Sequence, residues 1–379
     1  MTPAESIEAA GAAKRPRILC IGKRFYTNKD TLLERFGRVY RLPMLWSRQG
    51  ANVLLWLVDY HTKEPAQELA GRFRILSAPA LGLSSFKALY AALRTRPEVV
   101  VASGDCYVGL LGWLLARISG AKFVFDIYDK YDEFAGYRRL PGFDPFAFLR
   151  KRADMRLFCS QGLQAFYAGE QAQGPSFLVR NGVDESVFVP LPKDDCRLRL
   201  DLPKHQVLIG YFGSMEPDRG VGDLLSAVEI LRGEGLDLAL LICGKADPAM
   251  PMEQDWVIFR GMVPHDRMPL YINSCDLLAV PYRESPVMDM GASCKIAEYL
   301  MCQRPMVTTS TGNFTSNFPL QASALGAGMC PPGDVSGIAR SIRFQLAEKR
   351  VLSPPADMAW SSVAASALEA IRSGVRSDP

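Results

Sequence analysis

Residues 291–307 read GASCKIAEYLMCQRPMV. Small residues open the stretch, apolar side chains follow at helical spacing, and Gln303-Arg304-Pro305 closes it. Proline ends a helix, and the run Met306-Val307-Thr308-Thr309 beyond it has the β-branched character of a strand. A helix starting near 292–294 leaves its first backbone N–H groups unpaired. Lys295 falls in that first turn, and Glu298 stands about one turn further on the same face. The preceding DLLAVPY, 276–282, reads as a strand. A strand that feeds a helix N-terminus, with Gly291 and Ala292 permitting close backbone approach, suits a phosphate. The Glu298 carboxylate is then placed for two sugar hydroxyls.

Working outward, strand-length apolar runs alternate with helical patterns along the whole chain. RILCIG (17–22), NVLLWLVDY (52–60), EVVVASG (98–104) and KFVFDIYD (122–129) lie on one side, QVLIGYFGS (206–214) and LDLALLICGK (236–245) on the other. Strands apolar on both faces belong to parallel sheets covered by helices. The expected organisation is a disordered 1–15, a doubly wound α/β domain over 16–190, a linker over 191–205 and a second such domain over 206–350. A C-terminal helix and tail, 351–379, complete it. Ligands of such sheets sit at the carboxyl ends of the strands, so a cleft between two facing halves is the expected site.

Composition narrows the function classes. Of 379 residues, 48% are hydrophobic and 22% charged, and the net charge of +4 is spread along the length. That is no concentrated basic stripe, so nucleic acid is not an expected partner. The nine cysteines form no CxxC pair and the three histidines, His61, His205 and His265, have no ligand spacing, so no metal site is expected. Cysteines inside apolar runs read as small buried hydrophobes of a reducing compartment. No apolar signal-peptide core stands in 1–15, and VGLLGWLLA at 108–116 is too short to span a bilayer. A cytoplasmic protein is expected, able to touch the inner membrane surface. The segment 137–152 mixes Phe143, Phe146 and Phe148 with arginines and Lys151, a composition suited to anionic headgroups and a lipid-linked acceptor.

A second anion site is expected in YFGSMEPDRGVGDLL, 211–225, where a strand ends at Gly213 and a helix begins near Gly222. Arg219 adds charge there. Together with 291–307 this half of the chain resembles the C-terminal half of GT-B glycosyltransferases, especially the retaining family 4. The residues that carry the resemblance are Gly213, Arg219-Gly220, Ser293-Cys294-Lys295, Glu298-Tyr299 and Pro305-Met306-Val307. In the first half Asn181-Gly182-Val183-Asp184, Phe188 and Pro190 match the same family's segment.

The resemblance implies a GT-B fold and transfer of a sugar from a nucleotide diphosphate sugar, UDP-linked, to a glycan or lipid-linked acceptor, without cofactor. It implies that Glu298 binds the ribose hydroxyls, that Lys295, Arg219 and the backbone at Gly213 and Ser214 hold the diphosphate, and that Gly261 and Met262 border the base. A second similarity, to the inverting glucuronosyltransferases of xanthan assembly, rests on Gly213-Ser214-Met215, on 280–284 with Tyr282, and on Ser293 and Lys295. It implies Asp129 as a base, whereas in a retaining enzyme Asp126 or Asp129 only orients the acceptor. Acceptor-side candidates in the first βα loop are Gly22, Lys23 and Arg24.

The sequence departs from the family pattern at three places. Gly291 stands where a second glutamate is usual, with Glu284 and Asp289 nearby but out of register; Ser214 replaces an arginine and Tyr128 a histidine. Two alternatives follow, a sugar-nucleotide epimerase on the same fold and a non-catalytic subunit that binds a partner.

Overall fold

The computed structural model describes residues 15–376, apart from 27–28, 62–63, 135, 140, 246, 248–249 and 251. The segment expected to be disordered lies, but for Arg15, outside the described residues, as does the tail beyond 376.

Two sheets carry the chain. The first runs, in spatial order, Ser176–Leu178, Met155–Phe158, Lys122–Ile127, Val99–Ser103, Arg17–Lys23, Asn52–Asp59, Phe73–Pro79 and Ala66–Ala70. Its neighbours are parallel except the edge strand Ala66–Ala70, which is antiparallel to Phe73–Pro79. The second is wholly parallel, in the order Val257–Phe259, Leu238–Cys243, Val207–Phe212, Leu277–Val280, Met306–Thr309, Met329–Cys330. Both-sided burial explains the continuous apolar runs: Leu208 and Phe212 enter one core of the second sheet, Ile209 and Tyr211 the other.

Asp144 caps the helix Pro145–Arg152, its Oδ1 accepting from Ala147 N at 2.9 Å, with Pro145 at the first helical position. That helix turns inward, however: Phe146 is buried, and Arg150 is clamped on Glu170 at 2.7 and 2.8 Å. The stretch read as a linker contains the helix Lys193–Leu200, fixed by Arg197 on Asp276 at 2.6 Å.

The chain returns to its first half at the end. Val183 N donates to Met358 O at 2.8 Å and Val183 O accepts from Trp360 N at 3.0 Å, a parallel bridge to Ala359, and the helix Trp360–Arg376 then packs on Arg38–Arg48. Trp46, buried, donates from Nε1 to Ala364 O at 3.0 Å. Trp46→Ala should therefore cost about 3–5 kcal/mol of stability in urea unfolding; a loss below about 1 kcal/mol would mean the returning helix is not packed in this way.

Candidate functional site

The carboxyl ends of both sheets border one cleft of about 380 Å³. Lys295 defines its second-sheet wall. The strand Val207–Phe212 delivers Tyr211 and Gly213, the end of Leu277–Val280 delivers Tyr282, and the helix Cys294–Met301 starts beside them. The Lys295 Nζ donates to the Tyr211 hydroxyl at 3.3 Å and lies 4.3 Å from the Tyr211 ring centre and 5.3 Å from that of Tyr282. A side chain at residue 213 would collide with this ammonium, and φ of +146° there also favours glycine. Among the described residues no carboxylate pairs directly with Lys295. Burial and then the Arg219 charge push its pKa from 10.5 down to about 7, with Glu298 pulling partly back.

The surrounding groups are fixed. Tyr282 and Ser293 share a hydroxyl hydrogen bond of 2.8 Å, and Ser293 N donates to Asn313 Oδ1 at 2.9 Å. Tyr211 donates to Ser214 O, which shapes the loop after Gly213. Arg219 reaches in over Tyr282, 5.5 Å from its ring centre, and rests against Met288 Sδ at 3.3 Å. Glu298 Oε1 meets His265 Nε2 at 2.8 Å. His265 is itself flanked by Phe188 and, from the first half, Phe36, with ring centres 5.1 and 4.7 Å away.

On the opposite wall Asp129 follows the strand Lys122–Ile127. It is half-buried, which raises its pKa above the ordinary carboxylate value; the Lys130 N–H, bound at 2.9 Å, opposes the shift. The site thus joins two cations and a helix N-terminus on one wall to carboxylates on both, an arrangement for a polyanion carrying hydroxyls.

Residues 206–348 match the family model described as Glycosyl transferases group 1. The domain built on the second sheet belongs to that family. Over 228 residues the chain is 27% identical to a lipopolysaccharide 1,2-N-acetylglucosaminetransferase of Salmonella typhimurium, covering 54% of this chain and 58% of that protein. It is 25% identical over 182 residues to a 2-deoxystreptamine glucosyltransferase of Streptomyces kanamyceticus, covering 46% and 43%. The chain thus matches about half the length of these relatives. Among solved structures, a sucrose-phosphate synthase of Thermosynechococcus elongatus superposes with a TM-score of 0.71 at 18% identity, covering 95% of this chain and 99% of that one. Anabaena HepE, solved in complex with UDP-glucose, gives 0.60 at 16% identity and covers 93% and 94%. At such identities the likeness is one of fold, and the fold is GT-B.

Of the residues singled out in this glycosyl transferases group 1 domain, Gly213, Ser214, Arg219, Tyr282, Ser293, Cys294, Lys295 and Glu298 line the cleft. Met215 is buried in the core instead, and Gly261 and Met262 lie off the cleft, with Met262 exposed. In the first half Asp129 lines the cleft and Asp126 does not. Asp126 is buried in a bidentate pair with Arg38 at 2.7–2.9 Å and accepts from Ser103 Oγ at 2.6 Å. Gly22, Lys23 and Arg24 also stay outside: Lys23 pairs with Asp105 at 2.7 Å, and Arg24 with Asp30 at 3.0 Å and Asp59 at 3.1 Å. Residues the sequence did not single out for the site include Arg38, Asn313 and His265, all in the cleft wall.

The glycine in the place of the usual second glutamate has a packing cause. A Cβ on Gly291 would lie 2.6 Å from Val287 O and 2.9 Å from Asn313 Nδ2. Neither nearby acid substitutes, since Glu284 is exposed and Asp289 accepts from Gly312 N at 2.9 Å. Gly291→Glu should therefore lower stability by about 1–3 kcal/mol rather than restore a family feature; a variant that melts like wild type would show that the site accepts the side chain.

Proposed function

We propose that the chain is a glycosyltransferase that moves a sugar from a nucleotide diphosphate sugar, most simply a UDP-sugar, to a glycan or lipid-linked acceptor. The observation that carries this reading is Lys295, a cation held in the cleft without a paired carboxylate, with Arg219 beside it and Glu298 one turn on. In this reading Lys295, Arg219, the Gly213-Ser214 backbone and the helix N-terminus at Cys294 take the diphosphate. Glu298, steadied by His265, accepts from the ribose hydroxyls. The family membership of the second domain and the UDP-glucose bound by HepE support it.

As the glycosidic bond breaks, negative charge grows on the departing diphosphate. Preorganised cations stabilise that charge more in the transition state than in the ground state. The second sheet then serves the donor and the first the acceptor. Asp129, with its raised proton affinity, faces the acceptor side. In an inverting course it accepts the proton of the attacking hydroxyl; in a retaining course it orients that hydroxyl. Asp126, committed to Arg38, holds the wall.

Titration calorimetry with UDP, GDP and ADP tests the reading. One nucleotide should bind selectively, and Glu298→Ala should weaken it about 10- to 100-fold, the worth of hydrogen bonds to a charged group. Absence of binding by all three would favour a non-catalytic subunit.

The depressed Lys295 pKa makes a second prediction. Below about pH 7 the ammonium is already charged in the empty site; above it, binding of the anion must draw in a proton. Affinity for a UDP-sugar, whose diphosphate does not titrate here, should be flat below pH 7 and fall by up to about tenfold per pH unit above it. Calorimetry in buffers of different ionisation heat should show proton uptake at pH 8, and Lys295→Met should abolish it. A pH-independent affinity up to pH 9 would refute this role.

A further inference from the structure

Helices on a domain surface bury their large apolar side chains and leave small or polar ones outside. The helix Leu83–Arg94 packs Leu89 and Leu93 partly against the core, yet leaves its other large apolar side chains outside. Its inward residues Ala88 and Ala92 are 5% and 0% exposed, whereas Leu83, Phe86 and Tyr90 are 73%, 68% and 63% exposed. These three fall at i, i+3 and i+7, so they form one stripe. Leu81, in the turn just before, is exposed as well. The next helix, Cys106–Ser119, buries Val108 and Leu115 but also carries an exposed row, Tyr107, Leu114 and Ile118, at i, i+7 and i+11.

The two stripes share one side of the first sheet. Their helices link Phe73–Pro79 to Val99–Ser103 and Val99–Ser103 to Lys122–Ile127, two steps in the same direction along the sheet. Right-handed crossovers put both on the same face. The helix Arg38–Arg48, which spans a step in the other direction, lies on the opposite face and is covered there by the returning C-terminal helix.

Charge decides what covers the stripes. Segments 81–96 and 106–119 contain Lys87, Arg94, Arg96 and Arg117 and no aspartate or glutamate. Lys87 lies within the exposed stripe, and the Arg94 guanidinium sits 5.6 Å from the Tyr90 ring centre. A second copy of the chain on this face would set cations against cations. An anionic bilayer complements it: leucines and aromatic rings enter the headgroup boundary while lysine and arginine stay at the phosphates. Among the described residues no helix is long and apolar enough to cross a membrane, so the contact is one of surface docking.

We propose that the face formed by these two helices docks the protein on an anionic lipid bilayer. Leu83 and Tyr107 open their helices just past the carboxyl ends of strands, the edge of the sheet that borders the cleft. Docking there brings that edge of the first sheet close to the membrane. The proposal stands on the exposed stripes and their charge and does not depend on which nucleotide the cleft takes.

Vesicle flotation with the full chain tests it, using phosphatidylcholine alone and phosphatidylcholine with phosphatidylglycerol. The wild type should float with the phosphatidylglycerol vesicles, weakly with neutral ones, and less at high salt. Phe86→Ser/Tyr90→Ser and Lys87→Glu/Arg94→Glu should each lose at least about tenfold in binding with unchanged melting, since these side chains are outward. Lys151→Glu/Arg152→Glu, on the other basic segment, should bind as wild type. The proposal is overturned if the wild type ignores phosphatidylglycerol vesicles, if the stripe variants bind undiminished, or if the control loses as much as they do. A wild-type dimer on size exclusion that the stripe variants dissociate would equally overturn it, assigning the face to self-association.

Discussion

A cation kept from direct carboxylate neutralisation is the constraint around which the cleft is arranged. Burying an ammonium is costly, and a paired carboxylate is the usual remedy. Lys295 has instead a tyrosine hydroxyl, two ring faces and a glycine that leaves it room. Its pKa of about 7 reflects that shortfall. The remaining features of that wall follow from it: Gly213 carries no side chain, Tyr211 is turned by its bond to Ser214, and Arg219 adds a second positive charge that further loosens the proton. In the proposed function an incoming diphosphate supplies what the folded chain withholds.

The two sheets meet through the same region. Ser160 donates to Met290 O, Gln161 N to Asn317 Oδ1 at 3.1 Å and Asn181 Nδ2 to Ala292 O at 3.3 Å. The segment that launches the Lys295 helix is therefore gripped by loops of the first half. Arg38 performs the complementary task on the other wall, tying Asp126 to Arg180 O at 3.3 Å and so to the segment Asn181-Gly182 that follows. His265, between Phe36 and Phe188, completes the span. Groups on the two walls of the cleft are in this way referenced to one frame, which is what the proposed transfer between two bound substrates needs.

Much of this was legible in the sequence because it is local. Apolar runs without alternation give buried parallel strands, and small residues followed by a lysine one helical turn before a glutamate give a helix that starts at the cleft. What was not legible depends on distant partners. Asp126 and Asp129 look equivalent at a strand end, and only Arg38, 88 residues away, separates the structural one from the one facing the cleft. Gly22 and Lys23 close the first strand and Arg24 follows it, yet Asp105, Asp30 and Asp59 neutralise the two cations. His265 sits in a short turn with no periodic signal, and its pairing with Glu298 needs the second sheet to be formed first. In Leu83–Arg94 the helical period was readable, but not that its alanines face inward.

The most direct test of the account is the ionisation of Lys295 itself, followed by the carbon shift of its labelled side chain with and without a UDP-sugar. The expected result is a midpoint of about 7 in the empty protein, against the ordinary 10.5, and a rise on adding the nucleotide sugar. A midpoint near 10.5 that the ligand does not move would contradict it, because the cleft would then hold no cation in need of an anion.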